Sequence, residues 1–212
     1  MFRAAAAAAL FASGLIALSA CSSPVQTAHT LPVVRETSPQ PSAVPDSAVP
    51  DSVRISSRYT EEFSTPVPAD PRQAAVIRGF RESQILFDQA EVTLRVTPVM
   101  LEYVTGKAVT LLHKIVSNAT SDNMVPVGVD RLYDTKITSL AASTATVTSC
   151  DDGSRFNQAD RTTGQTAAPV PVSQQYIFVI FGMRLVAGRW ALSSLTVVSY
   201  PDQRVKACMQ AA

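Results

Sequence analysis

The groups in this sequence able to do chemistry are three cysteines, two histidines and a few carboxylates and tyrosines. Cys21 stands apart from the rest. The small residues Ser19 and Ala20 lead directly into it, after Leu18. A thiol in that setting is a nucleophile that can take an acyl or diacylglyceryl group, with the bond before it cut. The residues upstream supply the matching context. Arg3 gives a positive start, and the apolar stretch 4–17 has the layout of an export signal. It is short for a membrane span, which needs about 20 apolar residues. The pattern Leu18-Ser19-Ala20-Cys21 therefore reads as a bacterial lipobox. The mature protein is then expected to begin at Cys21 and hang from a membrane by lipid, each buried methylene contributing ~0.8 kcal/mol. The alternatives are an ordinary signal cut after Ala20 and an uncleaved helix.

Cys150 and Cys208 remain. Outside the cytoplasm two leftover cysteines in one domain are expected to pair. Such a bridge closes a loop of about 60 residues, worth ~4 kcal/mol in the chain-entropy model. Two free buried thiols are the alternative, and a zinc site from two isolated cysteines is weaker support still. With no Cys-x-x-Cys, thioredoxin-like redox chemistry has no basis.

For acid–base chemistry the candidates are Asp88, Tyr103, His113, Asp130 and Tyr133. A base needs a pKa near neutrality, and a donor must face a developing oxyanion. No two of these residues form a recognised motif. Asp88, beside Phe87 late on a helix, reads on balance as a solvated helix face. Tyr103 reads as a core plug with its hydroxyl at the rim, and His113 as a surface residue. Tyr176, Phe178 and Ile180 form one face of a strand, which reads as core packing. There is no Gly-x-Ser-x-Gly elbow, phosphate loop or His-Glu-x-x-His helix. Neither a cofactor nor a metal is implied.

The elements that must position these residues follow from pattern. Lys and Arg number 18 against 17 Asp and Glu, a net charge of +1. That balance, without a basic stripe, argues against nucleic acid as partner. Residues 21–69 read as a lipidated, Pro/Ser-rich tether, in which Ala43-Val44-Pro45-Asp46-Ser47 is nearly repeated as Ala48-Val49-Pro50-Asp51-Ser52. A tract around 53–63 is the one part that could dock on the domain. The domain is expected over 70–212. Asp70-Pro71-Arg72-Gln73 is a helix start, and Ala74, Ile77, Phe80, Ile85 and Phe87 give a face at helical spacing. That helix should run to Val92 or Arg95. Thr97-Pro98 opens a short helix, and a third spans about 107–118, ending in a loop at 117–123. The period then drops to two. Strands are predicted near 125–129, 136–140 and 144–150, followed by a mobile stretch over 158–171. A strand over 172–185 turns at Ala187-Gly188-Arg189 into one over 190–200. Helices first and strands later give an α+β fold: N-terminal helices packed on a curved antiparallel sheet, cone-like and preceded by a disordered tether.

The middle strand ending in Thr146-Val147-Thr148-Ser149-Cys150-Asp151-Asp152, then Gly188-Arg189-Trp190 in the closing hairpin before a last cysteine, resembles a known family. These are secreted proteins and lipoproteins of actinobacteria with a nuclear-transport-factor-two-like fold, also called cystatin-like. The resemblance covers about Asp70 to Cys208. It implies a helix-lined cone on a curved sheet, and a bridge between the middle-strand cysteine and the C-terminal one. The fold hosts isomerases, dehydratases and inert binding modules alike.

The expectation is thus a lipoprotein on the outer face of the cytoplasmic membrane, acting as a non-catalytic binding or interaction module. Its partner would be an envelope protein or a small apolar ligand in the cone, and a homodimer through the exposed sheet face is compatible with the fold. The alternative is an isomerase- or dehydratase-type enzyme using a carboxylate in the cone, with Asp88 and Tyr103 as its residues.

Overall fold

The computed structural model describes residues 49–212. The apolar segment 4–17, Cys21, His29 and residues 22–48 of the tether lie outside the described residues.

Helix α1 spans Pro71–Thr93. It starts where the sequence places it: Asp70 Oδ1 accepts from the Gln73 amide at 2.8 Å, and Pro71 occupies the first turn, where its missing N–H costs nothing. The helix ends at Leu94 in a left-handed conformation. Helix α2 (Pro98–Glu102) follows, then α3 (Gly106–Asp122). The third helix runs through the segment expected to be loop. Ser117 and Asn118 are tolerated inside it, and the stop comes at Asn123 with φ 54°.

The described residues form one seven-stranded sheet in the order β1-β2-β3-β4-β6-β7, with β5 paired to β3. Strands β1 (Ser52–Ser56) and β2 (Tyr59–Phe63) belong to it, so the domain begins well before Asp70. The tether reading fails over 52–63. Flanking prolines hide two five-residue alternating runs, and β2 is held by pairing parallel to β3 rather than by local signals. Strand β3 is a single long element, Met124–Leu140. It bends at register shifts between Tyr133 and Lys136 and between Ile137 and Ser139, with Asp134 at φ 49°. Such bulges curve a sheet around its helices. Its first half pairs with β5 (Phe156–Asp160), whose last three residues fall in the stretch expected to be mobile. There Ala167 N donates to Gln158 O at 2.8 Å and Asn157 Nδ2 to Ala167 O at 3.0 Å. The close approach requires Gly128, at φ 94°, since a Cβ there would strike the Arg155 carbonyl.

Strands β4 (Thr144–Asp152), β6 (Tyr176–Val186) and β7 (Arg189–Val198) complete the curved, mainly antiparallel sheet. Helices α1 to α3 pack on its inner face, giving the α+β cone. Alternation assigns Ile177, Val179, Phe181 and Met183 to that face, all buried. Tyr176, Phe178 and Ile180, read from sequence as core, point the other way. Phe178 packs beside Tyr133 and the Cys150–Cys208 disulfide. A C-terminal helix, α4 (Gln203–Ala211), lies there with Val205 and Cys208 buried. Sequence pattern missed it, because nine residues with two buried positions give almost no periodic signal.

At the centre of the inner face, Phe80 meets Phe181 edge-on at 4.7 Å and Phe63 at 6.3 Å. The next residue of α1 is a buried cation. Arg81, 1% exposed, donates to Val49 O (3.1 Å), Asp51 Oδ1 (2.9 Å) and Thr65 O (2.6 Å), with its guanidinium over the Phe63 ring.

Candidate functional site: a buried acidic cluster in the cone

The buried face of α1 changes character along its length. Ala74, Ile77 and Phe80 are followed, at the same helical spacing, by Gln84, Asp88 and Glu91. Opposite them the sheet does the same. On β2, Tyr59, Glu61 and Phe63 share the inner face, and all three are buried. The parallel register sets Glu61 beside Asp130 of β3, and the next inward pair is Phe63 with Leu132. Asp151 of β4 lies across from Leu132 on the same face. Carboxyls from α1, β2, β3 and β4 therefore face one another inside the domain.

Burial here is nearly complete: Glu61 is 0% exposed, Asp130 1%, and Asp88 and Asp151 2% each. Charged carboxylates pay heavily for leaving water, and like neighbours add to the cost. Burial pushes the Asp88 carboxyl up to about 8, with Glu91 and Asp130 adding to the rise. Burial, then Asp88, Asp130 and Asp151, raises Glu61 well above the usual carboxylate range. Glu61 and Asp88 act directly on one another, and burial disfavours the charged form of both. The Tyr59 hydroxyl donates to Glu61 Oε2 at 3.1 Å, and burial followed by the charge of Asp88 raises its own pKa well above the usual tyrosine value. Glu61 Oε1 and Asp88 Oδ2 have no donor, and Gln84 Nε2, also buried, has no acceptor among the described residues.

The sequence candidates separate cleanly. Asp88 and Asp130 come together in this cluster. The reading of Asp88 as a solvated helix face is overturned, because the helix turns it toward Glu61 of the sheet. Tyr103 lies elsewhere: it caps α2 among Glu82, Glu102 and Arg189, with the Arg189 guanidinium 4.7 Å from its ring centre. His113 is exposed on α3. Tyr133 belongs to the outer face, where its hydroxyl donates to Cys208 O at 2.6 Å. Sequence reasoning missed Tyr59, Glu61, Gln84, Glu91 and Asp151 as site residues. The signal for Glu61 was present: in Tyr59-Thr60-Glu61-Glu62-Phe63, strand parity puts Glu61 on the side of the two aromatic rings.

Among the described residues no three His, Cys, Asp or Glu side chains converge in a metal-binding arrangement, and no helix is long and apolar enough to cross a membrane. A surface groove of about 250 Å³ between Thr65, Pro68, Ile77 and Lys136 contains none of the cluster residues.

No family model matches the chain, and no curated protein matches it. Solved structures similar to it include a ketosteroid isomerase-like protein from Erwinia carotovora (13% identity, TM-score 0.40, covering 63% of this chain and 99% of that one). A protein of unknown function with a cystatin-like fold from Nostoc punctiforme matches at 13% identity and TM-score 0.35, over 58% of this chain and 90% of its own. The intermembrane space region of the chloroplast protein ARC6 matches at 13% identity and TM-score 0.42, over 62% and 99%. At these scores and identities, none of them carries an argument about this chain's chemistry.

Proposed function

We propose that this protein is a lipid-anchored module on the outer face of the bacterial cytoplasmic membrane, akin to actinobacterial lipoproteins, that binds a small molecule at the acidic end of its cone. The anchor is Cys21, supported by the export-signal layout before it. A disulfide between Cys150 and Cys208 fits an oxidising compartment. The observation that carries the binding reading is the Glu61–Asp88 pair. Buried polar groups are ordinarily satisfied, and a cluster of carboxyls held against that cost marks a site.

Catalysis is the second reading, favoured by a buried Asp88 that exchanges its proton near neutrality. It is the weaker one because the hydroxyl in the cluster is already committed. Tyr59 donates its proton to Glu61 and has none left for an oxyanion.

Two measurements test the proposal. Intact mass of the membrane-fraction protein, with and without reduction, should begin at Cys21 plus lipid and rise by two protons on reduction. Protein ending in the soluble fraction without lipid overturns the anchor. Native mass spectrometry of the same material should show a bound small molecule lost in Asp88→Asn. Turnover of a candidate substrate abolished by that variant would replace binding with catalysis.

A further inference from the structure

The chain carries a short motif twice, and the second copy has a visible task. As Val49-Pro50-Asp51 leads into β1, two of its oxygens accept from one nitrogen of the buried Arg81. Arg81 Nη1 donates to Val49 O at 3.1 Å and to Asp51 Oδ1 at 2.9 Å. Its other terminal nitrogen, Nη2, donates to Thr65 O at 2.6 Å, beyond the end of β2. One side of the guanidinium is thus held by the domain, and the other side receives the arriving chain. Proline sets the relation between the two received oxygens. It fixes its own φ near about −65° and keeps the preceding valine out of the helical region, so any Val-Pro-Asp run presents its valine carbonyl and its carboxylate in one preferred arrangement. The same three residues stand five positions earlier, as Val44-Pro45-Asp46, again between an alanine and a serine.

The contact is open to exchange from outside. The Asp51 side chain is 78% exposed and that of Arg81 only 1%. The carboxylate therefore reaches the guanidinium from the solvent side, and another carboxylate can take its place without entering the core. A buried cation that loses its carboxylate is strongly destabilising, which favours such a replacement. Seating the first copy leaves residues 47–51 to close as a surface loop ahead of β1, a length common among connections, and β1 keeps its register. The described seating is the preferred one, because Phe63 N donates to Asp51 O at 2.7 Å and the chain runs straight into β1 with no loop to close.

We propose that Arg81 is a seat for a Val-Pro-Asp segment and that the chain has two segments to fill it: Val49-Pro50-Asp51, and, when that contact is lost, Val44-Pro45-Asp46. The second seating draws five residues into a loop beside the domain. It shortens the chain ahead of the domain by at most about 17 Å of extended length. It keeps the buried cation paired, and it is independent of what the acidic cluster binds.

A double-substitution cycle on the purified full-length protein tests this, read by urea unfolding. Asp46→Ala alone should leave the unfolding constant within about twofold of wild type, and Asp51→Ala alone should raise it at most about threefold, because Asp46 takes the vacated place. The double variant should raise it at least about tenfold, a loss that the two single substitutions do not predict. Hydrogen exchange read by mass spectrometry supplies the position: the amides of 43–47 should exchange more slowly in Asp51→Ala than in wild type, and should not slow in the double variant. Equal unfolding constants for Asp51→Ala and the double variant, whether near wild type or far from it, overturn the proposal. Unslowed exchange over 43–47 in Asp51→Ala overturns it too, and so does failure of that single variant to fold, since no second copy would then be filling the seat. Where only the double variant fails to fold, the exchange measurement on Asp51→Ala decides alone.

Discussion

The two halves of the buried face of α1 obey one periodicity and do opposite things. Ala74, Ile77 and Phe80 meet Phe63 and Phe181 and gain free energy by leaving water. Gln84, Asp88 and Glu91, on the next two turns, lose hydration and are met by Tyr59, Glu61 and Asp130. The first half explains why the domain folds. The second half lowers stability, so its presence needs a use. Spacing alone does not separate a stabilising stripe from a functional one; the balance of desolvation does.

That contrast can be broken from either side. The largest effect should come from Phe80→Ala, which empties the centre of the apolar half: a loss of about 3–5 kcal/mol, lowering Tm by roughly 10 °C in thermal melts. A loss below 1 kcal/mol would mean that the apolar half does not hold the cone. Next in size, Asp88→Asn should stabilise by about 1–3 kcal/mol at pH 8.5, because a neutral isostere removes a buried charge. The sign follows from linkage. Folding raises the Asp88 pKa to about 8 from an unfolded value near 4. The folded state then holds a proton that the unfolded chain gives up, and this contribution is full below about pH 4 and lost as pH rises through about 8. Wild-type stability should fall across that window in denaturant titrations, and Asp88→Asn should flatten the fall. A wild-type slope of the opposite sign would refute the raised Asp88 pKa. Tyr59→Phe removes the donor to Glu61 Oε2 and should cost about 1 kcal/mol. The smallest change is expected from Gln84→Met, within about 0.5 kcal/mol of neutral, since the amide donor it deletes has no acceptor. A large loss there would reveal a structural role for Gln84.

Much of the architecture was readable. Asp70 and Pro71 announced α1, Thr97-Pro98 announced α2, and Ala187-Gly188 announced the closing hairpin, because caps and turns are local chemistry. What escaped depends on partners distant in sequence. Strand β2 has its identity from Gly128 to Leu132, and β5 from Met124 to Gly128. The site escaped for a related reason. Strand parity put Glu61 on the side of Tyr59 and Phe63, but that this side meets Asp88 and Asp130 depends on how α1 and β3 pack against β2. Asp202, Val205 and Cys208 did carry the cap and i, i+3 spacing of α4, and that signal was too short to stand alone.

Arg81 has a mechanical consequence. Tension on the chain ahead of Val49 does not reach the sheet directly. It arrives first at a guanidinium fastened to Val49, Asp51 and Thr65, which brackets the β1–β2 hairpin at entry and exit. The load is shared into the middle of α1 before it can peel β1 from the sheet edge. The hairpin that contributes Tyr59 and Glu61 is thereby shielded from a pull on the chain ahead of Val49.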